Sequence, residues 1–170
     1  MRLTLAGAGG YTGLPMPRPA SLASLTPLVE VAEVRVLYVD TDQMGVVNNV
    51  HYLRFFEVGR AEWIRARGRA YRELEQGGLM LPVVEAHVRY RAPARYDDLL
   101  AIEAGPSAIT AATLTFSYAI HRKHDRQLLA EGWTRHASMD LQGRVRRLSE
   151  DTLRLLGLSA DDQRGTNQDG

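Results

Sequence analysis

Apolar residues recur at helical spacing over one long stretch of this chain and at strand spacing over most of the rest. Tyr52, Phe55, Phe56, Gly59, Trp63 and Ile64 share one face of a helix predicted over about residues 49–67. Gly68 stands in the usual position just past a helix end. Leu53 and Val58 widen that face, which predicts a helix that is wrapped rather than merely covered. Shorter helices are expected over about 70–76, stopped by Gly77 and Gly78, and over about 149–156. Elsewhere the period is two. Val84, Ala86, Val88 and Tyr90 alternate with Glu85, His87, Arg89 and Arg91. Leu100, Ile102 and Ala104 repeat the pattern, as do Leu114, Phe116, Tyr118 and Ile120. Trp133, Ala137, Met139 and Leu141 are assigned to a further strand, and residues 34–39 form an earlier extended run. Gly105-Pro106 reads as a break and residues 122–126 as a polar hairpin turn. One strand, a long helix and four strands in series predict an α+β chain, an antiparallel β-sheet curled around a long central α-helix.

The chemistry-bearing residues cluster where the first strand gives way to that helix. Asp40-Thr41-Asp42 and Gly45 are turn formers, and Asn48 and Asn49 lead into the helical pattern. Asp42 therefore stands just before a helix start, where backbone N–H groups are unpaired. A carboxylate beside a site for a negative oxygen suits hydrolysis of an activated carbonyl. Asp, Thr and Asn are also common before helices simply because they cap them. On residue types alone, capping is the more frequent reason for finding them there.

The segment from Asp40 to Arg60, D-T-D-Q-M-G-V-V-N-N-V-H-Y-L-R-F-F-E-V-G-R, resembles the signature of hotdog-fold acyl-CoA thioesterases of the 4-hydroxybenzoyl-CoA thioesterase type, in the YbgC-like branch. The run from Val88 to Leu99, V-R-Y-R-A-P-A-R-Y-D-D-L, is similar to that branch's Y-x-x-P-A-x-x-D-D-x-L. The resemblance implies a hotdog domain acting on an acyl-CoA without a cofactor or metal. It implies Asp42 as general base or nucleophile and the backbone N–H of Asn49 as the group that polarises the carbonyl. It also implies contacts to substrate from Gly45, Val46, Val47, Asn48, His51 and Tyr52. The family builds its active sites between two chains, so a homodimer is the expected minimum and a homotetramer of two dimers the expected assembly. The YbgC branch carries Tyr-His where this chain has Asn48-Asn49, a form closer to long-chain acyl-CoA and plant acyl-ACP thioesterases. The backbone role survives that change; the acyl group stays open. Alternatives are an acyl-ACP thioesterase and a non-catalytic acyl-CoA-binding hotdog protein.

Glu57 is the one serious competing carboxylate, and Asp40 serves as the control. Glu57 lies two turns into the helix and is expected to pair with a neighbour such as Arg60. Asp40 is expected to matter little, its replacement by Asn costing roughly tenfold or less, about 1.4 kcal/mol. Arg89, Arg91, Arg122, Lys123 and Arg126 are candidates for coenzyme A phosphates, with solvated turns as the alternative.

Composition narrows the picture further. The chain has 170 residues and a formal net charge of +1, which gives no electrostatic case for nucleic acid. It has no cysteine, so disulfides and thiol catalysis are excluded. No apolar run is long enough for a membrane span, and a cytoplasmic protein is expected. Residues 1–30, punctuated by Pro17, Pro19 and Pro27, read as an irregular N-terminal extension. The glycines at 7–13 only faintly match a dinucleotide fingerprint, since the prolines forbid the βαβ unit it needs. The hotdog domain is assigned to 31–158 and a polar C-terminal tail to 159–170.

Overall fold

The computed structural model describes residues 26–68 and 71–158. The glycine-rich run at 7–13 and the tail at 159–170 lie outside the described residues. Five strands, β1 (Val29–Arg35), β2 (Val83–Tyr90), β3 (Leu99–Ile109), β4 (Thr113–Arg122) and β5 (Leu128–Ala137), form one sheet in the order β1-β3-β4-β5-β2. Every neighbouring pair is antiparallel. A 3-10 turn (Tyr38–Asp40) follows β1, and α1 (His51–Arg65), α2 (Tyr71–Gln76) and α3 (Glu150–Leu155) complete the elements.

The long helix lies against β1, β3 and β4. Its inward face is the one the spacing marks: Tyr52, Phe55, Phe56, Gly59, Trp63 and Ile64 are all buried, with Arg60 among them. Phe56 stacks on Tyr118 of β4 at 4.3 Å between ring centroids, and Trp63 meets Phe116 edge-on at 5.3 Å. Such aromatic pairs contribute about 0.5–1.5 kcal/mol each beyond the area they bury. The helix is not wrapped on all sides. Val50, Leu53 and Glu57 are exposed, so of the two apolar residues that widened its face Leu53 looks outward while Val58 packs against the core. At Gly132 of β5 the packing leaves no space for a side chain. A Cβ there would lie 2.1 Å from the carbonyl oxygen of His87 on β2 and 2.9 Å from the Phe56 ring.

Three expectations shift. Gly105-Pro106 does not end a strand; β3 runs through it. Its β1 partner starts only at Val29, opposite Ala104, and a bulge between Pro106 and Ala108 takes up the mismatch with β4. A proline without an N–H is tolerated at an edge or bulge. The last strand ends at Ala137; Met139 instead bridges Met80 and Val145, and Leu141 is an exposed turn residue. The first strand begins at Val29, inside the stretch assigned to the extension, and Thr26, Pro27 and Leu28 lie against Gly105.

β2 is an edge strand with little cover on either face. Val83, Val84 and Tyr90 are each about half exposed, at 51%, 54% and 47%. Of its alternating apolar residues, Val88 is packed against the core and Tyr90 against the buried Tyr52 ring, while Val84 and Ala86 stay exposed.

Candidate active site

Residues 40–49 form a tight reversal. Asp42 donates its N–H to Val46 O at 3.0 Å and accepts the Gly45 N–H at 2.9 Å. Gly45 sits at φ +70°, a conformation that costs glycine little. Thr41 pairs with Val47, and the Asn48 N–H reaches Asp40 O at 2.9 Å. The arm carrying Asp42 therefore runs beside the arm that delivers Asn49 to the start of α1. The Val47 N–H donates to Ala94 O at 2.9 Å, which fastens the reversal to the segment before β3.

Within this reversal Asp42 is half-buried. Its Oδ1 accepts the Met44 N–H at 2.8 Å, and its Oδ2 has no hydrogen bond among the described residues. The N–H groups that follow are consumed in turn. Asn48 donates to Asp40 O, Val50 to Asn48 Oδ1, His51 to Asn48 O and Tyr52 to Asn49 O. The Asn49 N–H alone in this run has no partner among the described residues. The Asn49 carbonyl also accepts the hydroxyl of Tyr90, the last residue of β2, at 3.1 Å. Val50, the residue before α1, supplies no side-chain cap, so the positive end of the helix is open beside Asn49.

Residues 36–156 match the thioesterase-like superfamily. The chain belongs to that superfamily. The acyl-CoA thioesterase YbgC of Haemophilus influenzae is 35% identical over 109 residues, 64% of this chain and 79% of that protein. Among solved structures, a hypothetical protein of Thermus thermophilus matches with a TM-score of 0.70 at 34% identity, over 76% of this chain and 98% of its own. The 1,4-dihydroxy-2-naphthoyl-CoA thioesterase of Synechocystis matches with a TM-score of 0.67 over 74% of this chain and 93% of its own, at 24% identity, a likeness of fold alone. This is a hotdog protein of a thioester-hydrolysing family.

Not every motif residue of this thioesterase-like chain faces outward. Gly45, Val46, Asn48, Asn49 and His51 are exposed or half-buried around the reversal. Val47 and Tyr52 are in the core, where Tyr52 accepts the Ala94 N–H and packs edge-on against Phe55 and Tyr90. Both hold the loop from the core side. Burial raises the Tyr52 phenol above its ordinary range.

Glu57 does not pair with Arg60. Glu57 is exposed, whereas Arg60 turns inward and places Nη1 3.4 Å from His136 Nε2. His136 is fully buried, and burial, reinforced by Arg60, pushes its imidazole down to about 4. The neutral ring donates Nδ1–H to Leu81 O at 2.9 Å and accepts the Thr134 hydroxyl at Nε2, 2.8 Å away. Thr134 in turn accepts the Tyr118 hydroxyl at 2.7 Å. In front of Arg60 a cavity of about 430 Å³ opens between Glu57, Met80, Leu81, Met139 and Leu141; neither Asp42 nor Asn49 lines it.

Most of the candidate phosphate-binding cations are engaged elsewhere. Arg91 pairs with Glu131, Lys123 with Glu30 and Glu33, Arg126 with Glu30 and Glu103, and Arg122 with Asp98 and Asp125. Arg95, absent from that candidate set, is exposed beside the reversal, with Nη1 3.5 Å from Gly45 O and no ion pair among the described residues.

Proposed function

We propose that this protein hydrolyses acyl-CoA thioesters to a carboxylic acid and free coenzyme A, with Asp42 as general base or nucleophile and the Asn49 N–H as the oxyanion donor. The observation that carries this is the unpartnered Asn49 N–H, flanked by four consumed ones, at the end of a turn that holds Asp42 alongside. One Asp42 oxygen is fixed by Met44 and the other is left for a proton or a carbonyl carbon. As base, Asp42 takes a proton from water as its oxygen attacks the thioester carbon. The negative charge that forms on the carbonyl oxygen is met by the Asn49 N–H, a contribution of about 3 kcal/mol for one preorganised donor. Collapse breaks the C–S bond, and the thiolate leaves with the proton.

Asp42→Asn tests this directly. Asn keeps the Oδ1 contact to the Met44 N–H, and Asn and Asp rank together as caps. The fold should persist while kcat falls by about 10²–10⁴, the contribution of a positioned base. Free thiol release from a panel of short, long and aromatic acyl-CoAs, with matched acyl-carrier-protein substrates, reads both the loss and the carrier. Normal turnover by Asp42→Asn would remove Asp42 from the chemistry.

The active unit in this proposal is a cytoplasmic homo-oligomer, a dimer at least and a tetramer by analogy of architecture. Its support is the open edge of β2, an outermost strand on which Val83 and Val84 are about half exposed.

A further inference from the structure

We infer that Asp40, not only Asp42, governs turnover: it is a positioning residue that holds the Asn49 N–H in register with Asp42. This rests on the site assignment just proposed. Asp40 is 2% exposed and grips three segments at once. Its Oδ2 accepts the Leu37 N–H at 2.9 Å, ahead of the 3-10 turn. Its Oδ1 accepts Arg54 Nη2 at 2.6 Å and faces His51 Nδ1 at 3.4 Å, both on the first turns of α1. Its backbone oxygen accepts the Asn48 N–H at 2.9 Å, one residue before Asn49.

The helix start needs such an external clamp. Val50 supplies no side-chain cap, so Asp40 is the group that ties α1 back to the arm carrying Asp42. A buried carboxylate is costly to desolvate and persists only when its oxygens are bonded, which both are here. Asn at this position keeps the shape but has one acceptor atom where the site needs two. Leu37 N–H approaches one oxygen and Arg54 the other, so an amide must point its NH₂ group at a donor on one side. Either the 3-10 turn or the helix is released. A displacement of about 1 Å between reacting groups costs about 10²-fold in rate. That exceeds the small loss the sequence suggested for Asp40.

The test compares Asp40→Asn, Arg54→Met, their double variant and Asp42→Asn as full-length proteins, on the best acyl-CoA of the panel. Steady-state kinetics are paired with binding of a non-hydrolysable thioether analogue of that acyl-CoA. Asp40→Asn is expected to lower kcat by about 10²-fold while analogue affinity stays within a few-fold. Arg54→Met should lose about tenfold, and the double variant should be no worse than Asp40→Asn, since the two act through one contact. A role confined to folding would instead lower the bound fraction and leave kcat per folded molecule unchanged, which overturns the inference. Normal kcat in Asp40→Asn with a dead Asp42→Asn overturns it alone. Normal turnover in Asp42→Asn overturns the site assignment beneath it. If Asp40→Asn does not fold, Arg54→Met decides: its side chain is half exposed, and wild-type kcat there refutes the clamp.

Discussion

His136 should make this protein acid-sensitive well above the range where carboxylates titrate. The imidazole is fully buried and held neutral, its pKa pushed from the ordinary 6.5 down to about 4. In the unfolded chain it regains its ordinary value. The native state therefore binds fewer protons than the unfolded state between those limits, and stability is complete above about pH 6.5 and falls as the pH drops toward 4. Between pH 8 and pH 5 the single group should remove about 2 kcal/mol, and about 3 kcal/mol once the pH is below 4. The assay is urea denaturation at pH 8 and at pH 5, for wild type and for His136→Gln. The Gln variant starts less stable, because the directed chain through Tyr118, Thr134 and Leu81 is altered. Only the pH-dependent difference matters. Wild type should lose about 2 kcal/mol more than the variant across the interval. Equal losses would show that His136 is not the buried neutral group described, and that the acid sensitivity has another source.

Two further outcomes follow from the geometry. Gly132→Ala should destabilise by about 3 kcal/mol or more, because its methyl must displace the backbone of β2 and not merely a flexible side chain; a denaturation midpoint near wild type would refute the contact. Arg95→Gln should raise KM for acyl-CoA by about tenfold with kcat retained, as expected for one charge-assisted contact. Acyl-pantetheine substrates, which lack the nucleotide phosphates, should show no difference between variant and wild type; an equal effect on both would place Arg95 outside phosphate recognition.

Local pattern made the main elements legible. The helical spacing of Tyr52, Phe55, Phe56, Gly59, Trp63 and Ile64 identified the buried face of α1 because that face is set by packing on one sheet. The strand alternation at 114–120 survived for the same reason. Gly105-Pro106 misled because whether a proline interrupts a strand depends on what lies beside it, and β1 stops opposite Ala104. Leu53 and Val58 suggested a wrapped helix, yet apolar content does not say whether the cover comes from the same chain. The grip of Asp40 was not legible because its partners are Leu37 and Arg54, the latter fourteen residues away, and no periodic signal joins them. The Arg60–His136 contact spans seventy-six residues and displaced the local Glu57 pairing that helix spacing favours.

The bond from the Tyr90 hydroxyl to the Asn49 carbonyl joins the outermost strand of the sheet to the residue proposed to present the oxyanion donor. Tyr90 ends β2, whose outer side has no strand neighbour among the described residues. Anything that docks there stiffens Tyr90 and, through it, Asn49. Specific activity should consequently depend on how concentrated the protein is: dilution that strips the edge of its neighbour loosens the donor before any catalytic side chain is touched.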